Sequence, residues 1–409
     1  MNRLISTILF ALVAVHSFAE PVIVRNGPTP AHGIRTLVLE EMWRAGGPDD
    51  EENFFGLLTW AEEGPDGLLY VLDVQLCQAN VYDREGNLVR TLFGEGDGPG
   101  EVRRPRDLVI LPDGSVGAVQ EFPGKLVRVD GDNNPLPGIT PRLGDAADGG
   151  FVALSGAESR GGSFMIAGVQ ISPGPRDGTQ ERHMYLALVN EEGAIGPILV
   201  ERKVDWDFSH FVYDEALNLP SFFWASAVGP DGRIYTAPDR DSYLIQVFAP
   251  DGSLERTIER EFNSRKRTAE DRAWITNLMD GAFSQLPFNY ELKICDTDSD
   301  IHWLNRSLQV DEEGFLWVLS SRGAHDQEPG VLATYDVFAP DGSFDRQVRV
   351  ACEGDATEDG AFLIGKDRVL VIKGFVDATS TMFGGTPAGE EGGDADPMEI
   401  VCYRITGEE

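Results

Sequence analysis

Residues 247–253 read VFAPDGS, and residues 337–343 read the same seven letters again. Each copy ends a run of mainly apolar residues, and a second run follows it. Pro-Asp-Gly favours a tight turn, because Pro and Asp suit its first positions and Gly tolerates a positive φ angle. The two copies therefore predict two β-hairpins of the same design.

Turns of this kind recur along the chain. Pro-Asp-Gly also occurs at 65–67, 112–114 and 230–232, and related turns occur at 84–86 (REG), 191–193 (EEG) and 312–314 (EEG). Residues 222–260 give the clearest unit, in which FFWASAV, RIYTA, YLIQVFA and SLERTIER follow one another. Runs of this length and composition, joined by Asp-Gly turns, predict four short antiparallel strands.

The four-strand plan repeats six times. It fits residues 55–93 and 301–350 well, and less regular copies lie at 105–142, 151–202 and 361–405. The last copy supplies only three strands, and IRTLVLEE (34–41) can supply the fourth. The repeats predict an all-β fold, a six-bladed β-propeller over residues 34–407. Its last blade has three C-terminal strands and is closed by one N-terminal strand.

One stretch carries a resemblance to a known family. The sequence GEGDGPGEVRRPRDLVILPDGSVGAV (94–119) resembles the NHL-repeat type of six-bladed propeller. Its Gly-rich connection and following proline match at Gly94, Gly96, Gly98, Pro99, Gly100 and Pro105. The whole mature chain is similar to secreted bacterial propellers of the NHL/TolB-like class. This resemblance implies the fold and leaves the activity open, because one fold hosts many functions.

The N-terminus has the pattern of an export signal. Arg3 precedes a twelve-residue apolar run, LISTILFALVAV (4–15), and the small residues Ser17 and Ala19 follow. This arrangement predicts a signal peptide over residues 1–19, and the run is too short to span a bilayer, which needs roughly 20 residues. We expect the mature protein to be secreted or periplasmic, with no membrane span.

The chain is strongly acidic, with a formal charge of −34 that becomes −35 without residues 1–19. Such a chain repels phosphate backbones, so we expect no nucleic-acid partner. The four cysteines are Cys77, Cys295, Cys352 and Cys402. Disulfides are permitted in an exported protein, and four cysteines leave three pairings open.

Residues 262–298, between predicted blades four and five, do not read as a blade. Thr268 and Asp271 form a capping-box pattern at the start of TAEDRAWITNLMDG (268–281). Apolar residues then follow at helical spacing, and Gly281 is suited to end a helix. We predict an amphipathic helix that covers one face of the propeller, with a substrate lid as the alternative.

The long connections lie on the side of the ring opposite the Asp-Gly turns. They comprise residues 171–182, 200–221, 261–300, 321–333, 351–360 and 374–397. Because long loops on a rigid scaffold often carry binding sites, we predict the ligand on this face, in contact with 205–214, the 262–300 segment and 321–328.

Aromatic and acidic residues concentrate in KVDWDFSHFVYDE (203–215). This combination suits a protein, peptide or carbohydrate ligand. The predicted ligand-binding residues are Asp205, Trp206, Asp207, His210, Tyr213, Arg240 and His325. The alternatives are a packed loop with solvated acids and, for Arg240, an ion pair within its own loop.

The run DTDSDIH (296–302) begins as calcium loops do, with acids at alternating positions. It departs from an EF-hand, because Ile301 replaces the required Gly and Ser307 replaces the bidentate Glu. An irregular Ca²⁺ site formed by Asp296, Asp298, Asp300 and His302 is the hypothesis, with solvated acids as the simpler alternative. No other cofactor is indicated.

No motif of an established enzyme class is evident. GEGDGPGE (94–101) lacks the Lys-Ser/Thr of a phosphate loop, and HExxH and GxSxG do not occur. We therefore expect a binding or protein-interaction module rather than an enzyme. The alternative is a divalent-metal-dependent hydrolase or lyase with carboxylates and His at the channel mouth; a structural part of an envelope complex is a third possibility.

Overall fold

The computed structural model describes residues 20–48, 50, 53–143, 150–283, 286–303, 306–382 and 397–409. The predicted signal peptide, residues 1–19, lies outside them. The strands are β1 (Val22–Asn26), β2 (Ile34–Gly46), β3 (Leu58–Glu63), β4 (Leu69–Asp73), β5 (Gln78–Tyr82), β6 (Leu88–Phe93), β7 (Pro105–Ile110), β8 (Val116–Gln120), β9 (Lys125–Val129), β10 (Pro135–Ile139), β11 (Phe151–Arg160), β12 (Ser163–Pro173), β13 (Thr179–Val189), β14 (Ile195–Asp207), β15 (Phe211–Asp214), β16 (Ser226–Val228), β17 (Ile234–Thr236), β18 (Leu244–Phe248), β19 (Leu254–Arg260), β20 (Tyr290–Lys293), β21 (Leu308–Val310), β22 (Leu316–Leu319), β23 (Ala333–Phe338), β24 (Phe344–Val350), β25 (Gly360–Ile364), β26 (Arg368–Lys373) and β27 (Glu399–Glu408). The α-helices are α1 (Glu215–Asn218), α2 (Ala269–Phe283), α3 (Ser321–His325) and α4 (Phe375–Met382).

The strands form antiparallel meanders in chain order. Three of them, β3–β6, β7–β10 and β11–β14, are separate four-stranded sheets. The meander β16–β19 carries β1 as a fifth strand, paired parallel with β19. The remaining strands β21–β24, β2 and β25–β27 form one eight-stranded sheet, and β15 pairs with β20 alone.

Apolar clusters join each meander to the next one along the chain. Tyr70 of β4 shares a cluster with Leu108 of β7, for example, and Val337 of β23 shares one with Val371 of β26. The series closes on itself, because Leu58 of β3 lies in one cluster with Ile372 of β26. The fold is therefore all-β, with a propeller-like arrangement of sheets and few helices.

The N-terminal segment completes the last meander, as the sequence predicts. Strand β2 pairs antiparallel with β27 through residues 37–46, and its first four residues pair parallel with β24. The two predicted blades on either side of β2 are therefore joined into one continuous sheet, a connection that the sequence pattern does not predict. The reason is that β2 is 13 residues long, enough to bond to both neighbours.

The repeated VFAPDGS segments are hairpin turns, as predicted. The first copy links β18 to β19 and the second links β23 to β24. In each, an aspartate side chain accepts a hydrogen bond from the serine two residues later, Asp251 from Ser253 and Asp341 from Ser343. The glycines have φ angles of +84° at Gly252 and +90° at Gly342, which other residues rarely adopt.

The predicted helix in the insertion is confirmed as α2. Its capping box forms as expected: Asp271 accepts a hydrogen bond from the Thr268 backbone N–H, and Thr268 Oγ1 accepts one from that of Asp271. The predicted end at Gly281 is wrong, because the helix continues to Phe283. Within the described residues, no helix is long and apolar enough to cross a membrane.

Candidate functional site

A cavity of about 790 Å³ lies among the hairpin turns that join the first and second strands of the meanders. Five such turns contribute to its wall: residues 64–65, 111–112, 161–162, 311–312 and 365–367. These turns include Asp-Gly hairpins, on the side opposite the long connections. This cavity therefore opens on the face opposite the one predicted to bind the ligand.

Two glutamates and one arginine line this cavity at its inner end. The Arg306 guanidinium lies 3.9 Å from the centre of the Trp60 ring, and its Nη2 lies 3.9 Å from Glu158 Oε1. Glu158 also accepts a hydrogen bond of 3.0 Å from the Val228 backbone N–H. Among the described residues, Glu62 has no ion-pair partner at such distances, and Arg306 influences it only through a longer-range attraction.

The protein raises the pKa of these carboxylates. Burial raises the pKa of Glu62 to about 7; the attraction of Arg306 opposes this shift, and repulsion by Glu158 adds to it. Burial also raises the pKa of Glu158. Carboxyl groups with perturbed pKa values in a cavity are candidates for a functional role.

Glu62 differs from the residue at the matching place in another meander. Glu62 pairs across the hairpin with Tyr70, one pair before the end of β3, and Gln309 pairs with Trp317 in the same way in β21. Gln309 uses its side chain to bind the backbone of the next meander, at Leu363 N (2.7 Å) and Ala361 O (3.1 Å). Glu62 makes no such bond, so its carboxylate remains available to the cavity.

The cavity is acidic overall. Its lining holds six carboxylates against four basic side chains. At the rim, Arg84 pairs with Asp367, and Arg160 pairs with Glu312 at 2.6 Å. Lys366 adds a further basic group to the lining, and Arg160 as well as Arg306 attracts the carboxylates of Glu62 and Glu158, so the lining keeps an excess of two carboxylates. This electrostatic balance favours a cationic ligand.

A second, smaller cavity of about 100 Å³ adjoins the first, and Glu158 and Arg306 line both. Its wall combines aromatic rings, among them Phe223, Trp224, Phe362 and Phe375, with polar groups that include Arg106, Asp107, Ser155 and Ser226. Thr59 also lines it; this residue is only 7% exposed, and its Oγ1 has no hydrogen-bond partner among the described residues. We term the larger space the central cavity and the smaller one the inner chamber.

The face predicted to bind the ligand is covered by packed aromatic residues. Trp206 and Tyr213 are buried. The Trp206 ring lies 4.5 Å from that of Phe211, and Tyr213 lies 4.8 Å from Phe283 of α2. Strand β15 also pairs with β20 of the insertion. Residues 205–218 and 265–298, with the exception of 284–285, thus form one unit, which we term the cap.

The other predicted ligand-binding residues do not converge on a cavity with these two. Asp205 and His210 are exposed, and Asp207 accepts hydrogen bonds from Ser209 and pairs with Arg176 at 3.3 Å. Arg240 forms the ion pair within its loop, at 2.6 Å to Asp241. The predicted set therefore comprises two packed aromatics, two exposed polar residues, a partly buried aspartate, a paired arginine, and His325, which lies beside His302.

Buried ion pairs connect the two segments of the cap. Both guanidinium Nη atoms of Arg267 donate to Glu215 at 2.8 Å, and its Nε donates to Asp298 at 2.8 Å. Arg265 donates to Asp298 at 2.6 Å and to Asp271 at 2.8 Å. Glu215 and Asp298 are far apart in sequence, so the network connects the two segments of the cap.

The proposed calcium ligands occupy different environments. Both oxygens of Asp298 accept from arginines, while Asp296 is exposed and pairs with Arg272. Asp300 and His302 are buried. In the described part of the chain, no group of three or more His, Cys, Asp or Glu side chains is arranged to hold a metal ion.

Two histidines of the predicted sites, His302 and His325, lie next to each other. The rings of His302 and His325 lie 5.7 Å apart, centre to centre, and His210 is exposed elsewhere on the cap. Burial lowers the pKa of His302 to about 3, with the His325 and Arg265 charges acting in the same direction against Asp298. Burial also lowers the pKa of His325. Both rings are therefore held neutral.

This pair predicts an acid sensitivity of the fold. The folded-state pKa of His302 lies below the usual 6.5, so His302 favours the folded state above pH 6.5 and opposes it as the pH falls from 6.5 toward 3. In that range, the free energy of unfolding of the wild type is expected to fall more steeply than that of His302→Gln, by up to about 1.4 kcal/mol per pH unit. Thermal melts between pH 7.5 and 4.5 measure this, with His210→Gln as the control; equal slopes for all three proteins would contradict it.

None of the four cysteines forms a disulfide. Cys77 and Cys402 are buried, and Cys295 and Cys352 are partly so. Burial raises the pKa of Cys295 to about 11 and that of Cys352 to about 12. These thiols are therefore protonated and poor nucleophiles at neutral pH.

The candidate residues Glu62, Glu158 and Arg306 were not singled out from the sequence. Each adjoins a turn or a loop, where a charged residue usually contacts solvent. The one available signal was the pair of acids before the 65–67 turn, of which Glu63 bonds to Arg368 and Glu62 does not.

Comparisons with known proteins identify no family for this chain. No family model matches it, and no curated protein does. Solved structures share its outline at low identity. An exported protein from Bacteroides fragilis is 11% identical with a TM-score of 0.47, covering 94% of this chain and 100% of that one.

Two enzymes are similar to the same extent. A virginiamycin B lyase from Staphylococcus aureus is 8% identical (TM-score 0.42; 90% of this chain, 93% of that one). A gluconolactonase from Xanthomonas campestris is 13% identical (TM-score 0.41; 85% and 87%). The arrangement of sheets described above rests on the strand pairing of this chain and not on these likenesses.

Proposed function

We propose that the chain is an exported six-bladed propeller of the NHL/TolB-like class, spanning residues 34–407 with an insertion at 262–298. Counting blades by meanders supports this, because the eight-stranded sheet consists of two four-stranded meanders joined through β2. The apolar clusters that link each meander to the next support a closed ring. Export rests on the pattern of residues 1–19.

We propose that this propeller is a binding module that takes an ammonium-bearing ligand into the central cavity. The observation that carries the proposal is the carboxylate of Glu62, which has no ion-pair partner among the described residues and which lines, together with Glu158, an acidic cavity of about 790 Å³. An ammonium group would form charge-assisted hydrogen bonds to both carboxylates. It would also stabilise their ionised forms, which burial otherwise disfavours.

The test compares two peptides and two variants. Trialanine with a free N-terminus is expected to bind the wild type, as measured by ligand-observed NMR, and N-acetyl-trialanine is not. Glu62→Gln should weaken binding of the free peptide by roughly 10- to 100-fold, the value of a hydrogen bond to a charged group. Glu85→Gln, in an exposed turn outside the cavity, should bind as the wild type does. Equal binding by Glu62→Gln and the wild type would refute the proposal.

The same variant carries a stability signature. The pKa of Glu62 is raised in the folded state, so its favourable contribution is complete below pH 4.5 and is lost as the pH rises through about 7. Glu62→Gln should therefore melt at a higher temperature than the wild type at pH 8, with the difference shrinking toward pH 4.5. A residue that costs stability in the free protein is typical of a binding site.

A further inference from the structure

We propose that the inner chamber receives the first side chain of a peptide whose N-terminal ammonium is bound by Glu62 and Glu158. This inference rests on the proposed function of the central cavity. It adds the class of ligand, a peptide N-terminus with a small apolar first residue, and assigns the inner chamber as the pocket that selects it.

The position of the inner chamber supports this assignment. Glu158 and Arg306 line both spaces, so a group bound to Glu158 lies next to the chamber. A peptide places its first side chain one carbon from its ammonium nitrogen. A ligand held by its ammonium in the central cavity can therefore extend this side chain past Arg306.

The Arg306 side chain lies between the central cavity and the inner chamber, and its contacts are weak enough to let the guanidinium rotate. Its guanidinium stacks on Trp60, lies 3.9 Å from Glu158 and donates one long hydrogen bond, 3.4 Å, to Ala61 O. Rotation would cost only these contacts. It would also bring the guanidinium toward the central cavity, where it could meet a peptide carbonyl.

The size and lining of the chamber limit the side chain. Its volume of about 100 Å³ is below the roughly 150 Å³ that accommodates benzene in an engineered apolar cavity. Its aromatic rings, with Met165 and Ala167, offer apolar surface to a small aliphatic group. Of the polar groups in this wall, Asp107 already accepts from Leu108 N and Ala157 N, and Arg106 pairs with Glu121, whereas the buried Oγ1 of Thr59 has no hydrogen-bond partner among the described residues. These features favour valine-sized side chains.

The test measures discrimination between first residues. Val-Ala-Ala is expected to bind the wild type roughly 50-fold more tightly than Gly-Ala-Ala, at about fourfold for each added carbon. Ala167→Leu fills the chamber, since Ala167 lines it, and should abolish this preference, so that Val-Ala-Ala binds no more tightly than Gly-Ala-Ala. Ala187→Leu overpacks a buried alanine of the adjacent strand β13 and should keep the preference. Glucosamine distinguishes an amino sugar from a peptide, and tighter binding of glucosamine than of Val-Ala-Ala would overturn the proposal.

The two proposals fail in different ways. If both peptides bind equally and Glu62→Gln abolishes binding, the inner-chamber proposal is wrong and the ammonium site stands. If neither peptide binds, the proposed function is wrong, and this inference falls with it.

Xenon under pressure tests the chamber without any ammonium group. A xenon atom between Thr59 and Phe375 in a crystal of the wild type supports an accessible apolar pocket, and the absence of xenon there would overturn the inner-chamber proposal.

Discussion

Arg267→Met is expected to lower the free energy of unfolding by about 3–5 kcal/mol, the usual result of removing one partner from a buried ion pair. The side chains of Arg267 and Glu215 are each only 2% exposed. Methionine keeps most of the volume but leaves Glu215 with only the more distant Arg240, at 3.6 Å, and Asp298 with only Arg265. Urea unfolding followed by tryptophan fluorescence measures the loss.

Two controls separate charge from packing. Arg272→Met removes an exposed ion pair with Asp296 and should leave the midpoint nearly unchanged, because solvent screens such pairs. Adding Glu215→Gln and Asp298→Asn to Arg267→Met should recover part of the loss, since no unpaired charge remains. A loss below about 1 kcal/mol for Arg267→Met would mean that water replaces the guanidinium.

Asp73→Ala is expected to cost about 3–5 kcal/mol, because one fully buried carboxylate holds four backbone N–H groups and each unpaired group costs about 1–3 kcal/mol. Asp73 is 0% exposed. It accepts from Gly56 and Leu57 before β3 and from Gln75 and Leu76 after β4. Asp73 therefore connects the residues that precede β3 to the residues that follow β4.

The matched control for Asp73 is an aspartate with similar bonds in solvent. Asp83 accepts from the backbone of Glu85 and Asn87 in an exposed turn, so water can replace it after Asp83→Ala. Asp73→Asn retains one acceptor oxygen and should fall between Asp73→Ala and the wild type. Equal urea midpoints for Asp73→Ala and Asp83→Ala would show that burial of Asp73 is unimportant.

The fold was largely predictable because its rules are local. Alternating apolar residues and Asp-Gly turns mark strands within a few positions of each other, and Thr268 and Asp271 mark the start of α2 in the same way. The N-terminal closing strand followed from a count of strands. The double pairing of β2 was missed because it depends on the distance between β24 and β27, which no local pattern encodes.

The site was poorly predictable because its residues are close together in the fold but far apart in the sequence. Glu62, Glu158 and Arg306 come from three separate parts of the chain, and nothing near each residue in sequence indicates the others. The long loops were a reasonable choice, yet the aromatics of 205–214 pack on Phe283 of the insertion rather than facing a ligand. Composition alone could not distinguish an aromatic binding surface from an aromatic lid.

The pairing of β2 with β27 also sets the order in which the molecule can be completed. Leu37 lies opposite Glu408 in the sheet, so the ring cannot close until residues 399–408 have been made. Until then β26 has an unpaired edge, and such edges readily bind other chains. Contacts between residues so distant in sequence also form slowly. The protein is therefore most vulnerable to aggregation just before β27 is added, and a chaperone that protects sheet edges would help it most at that stage.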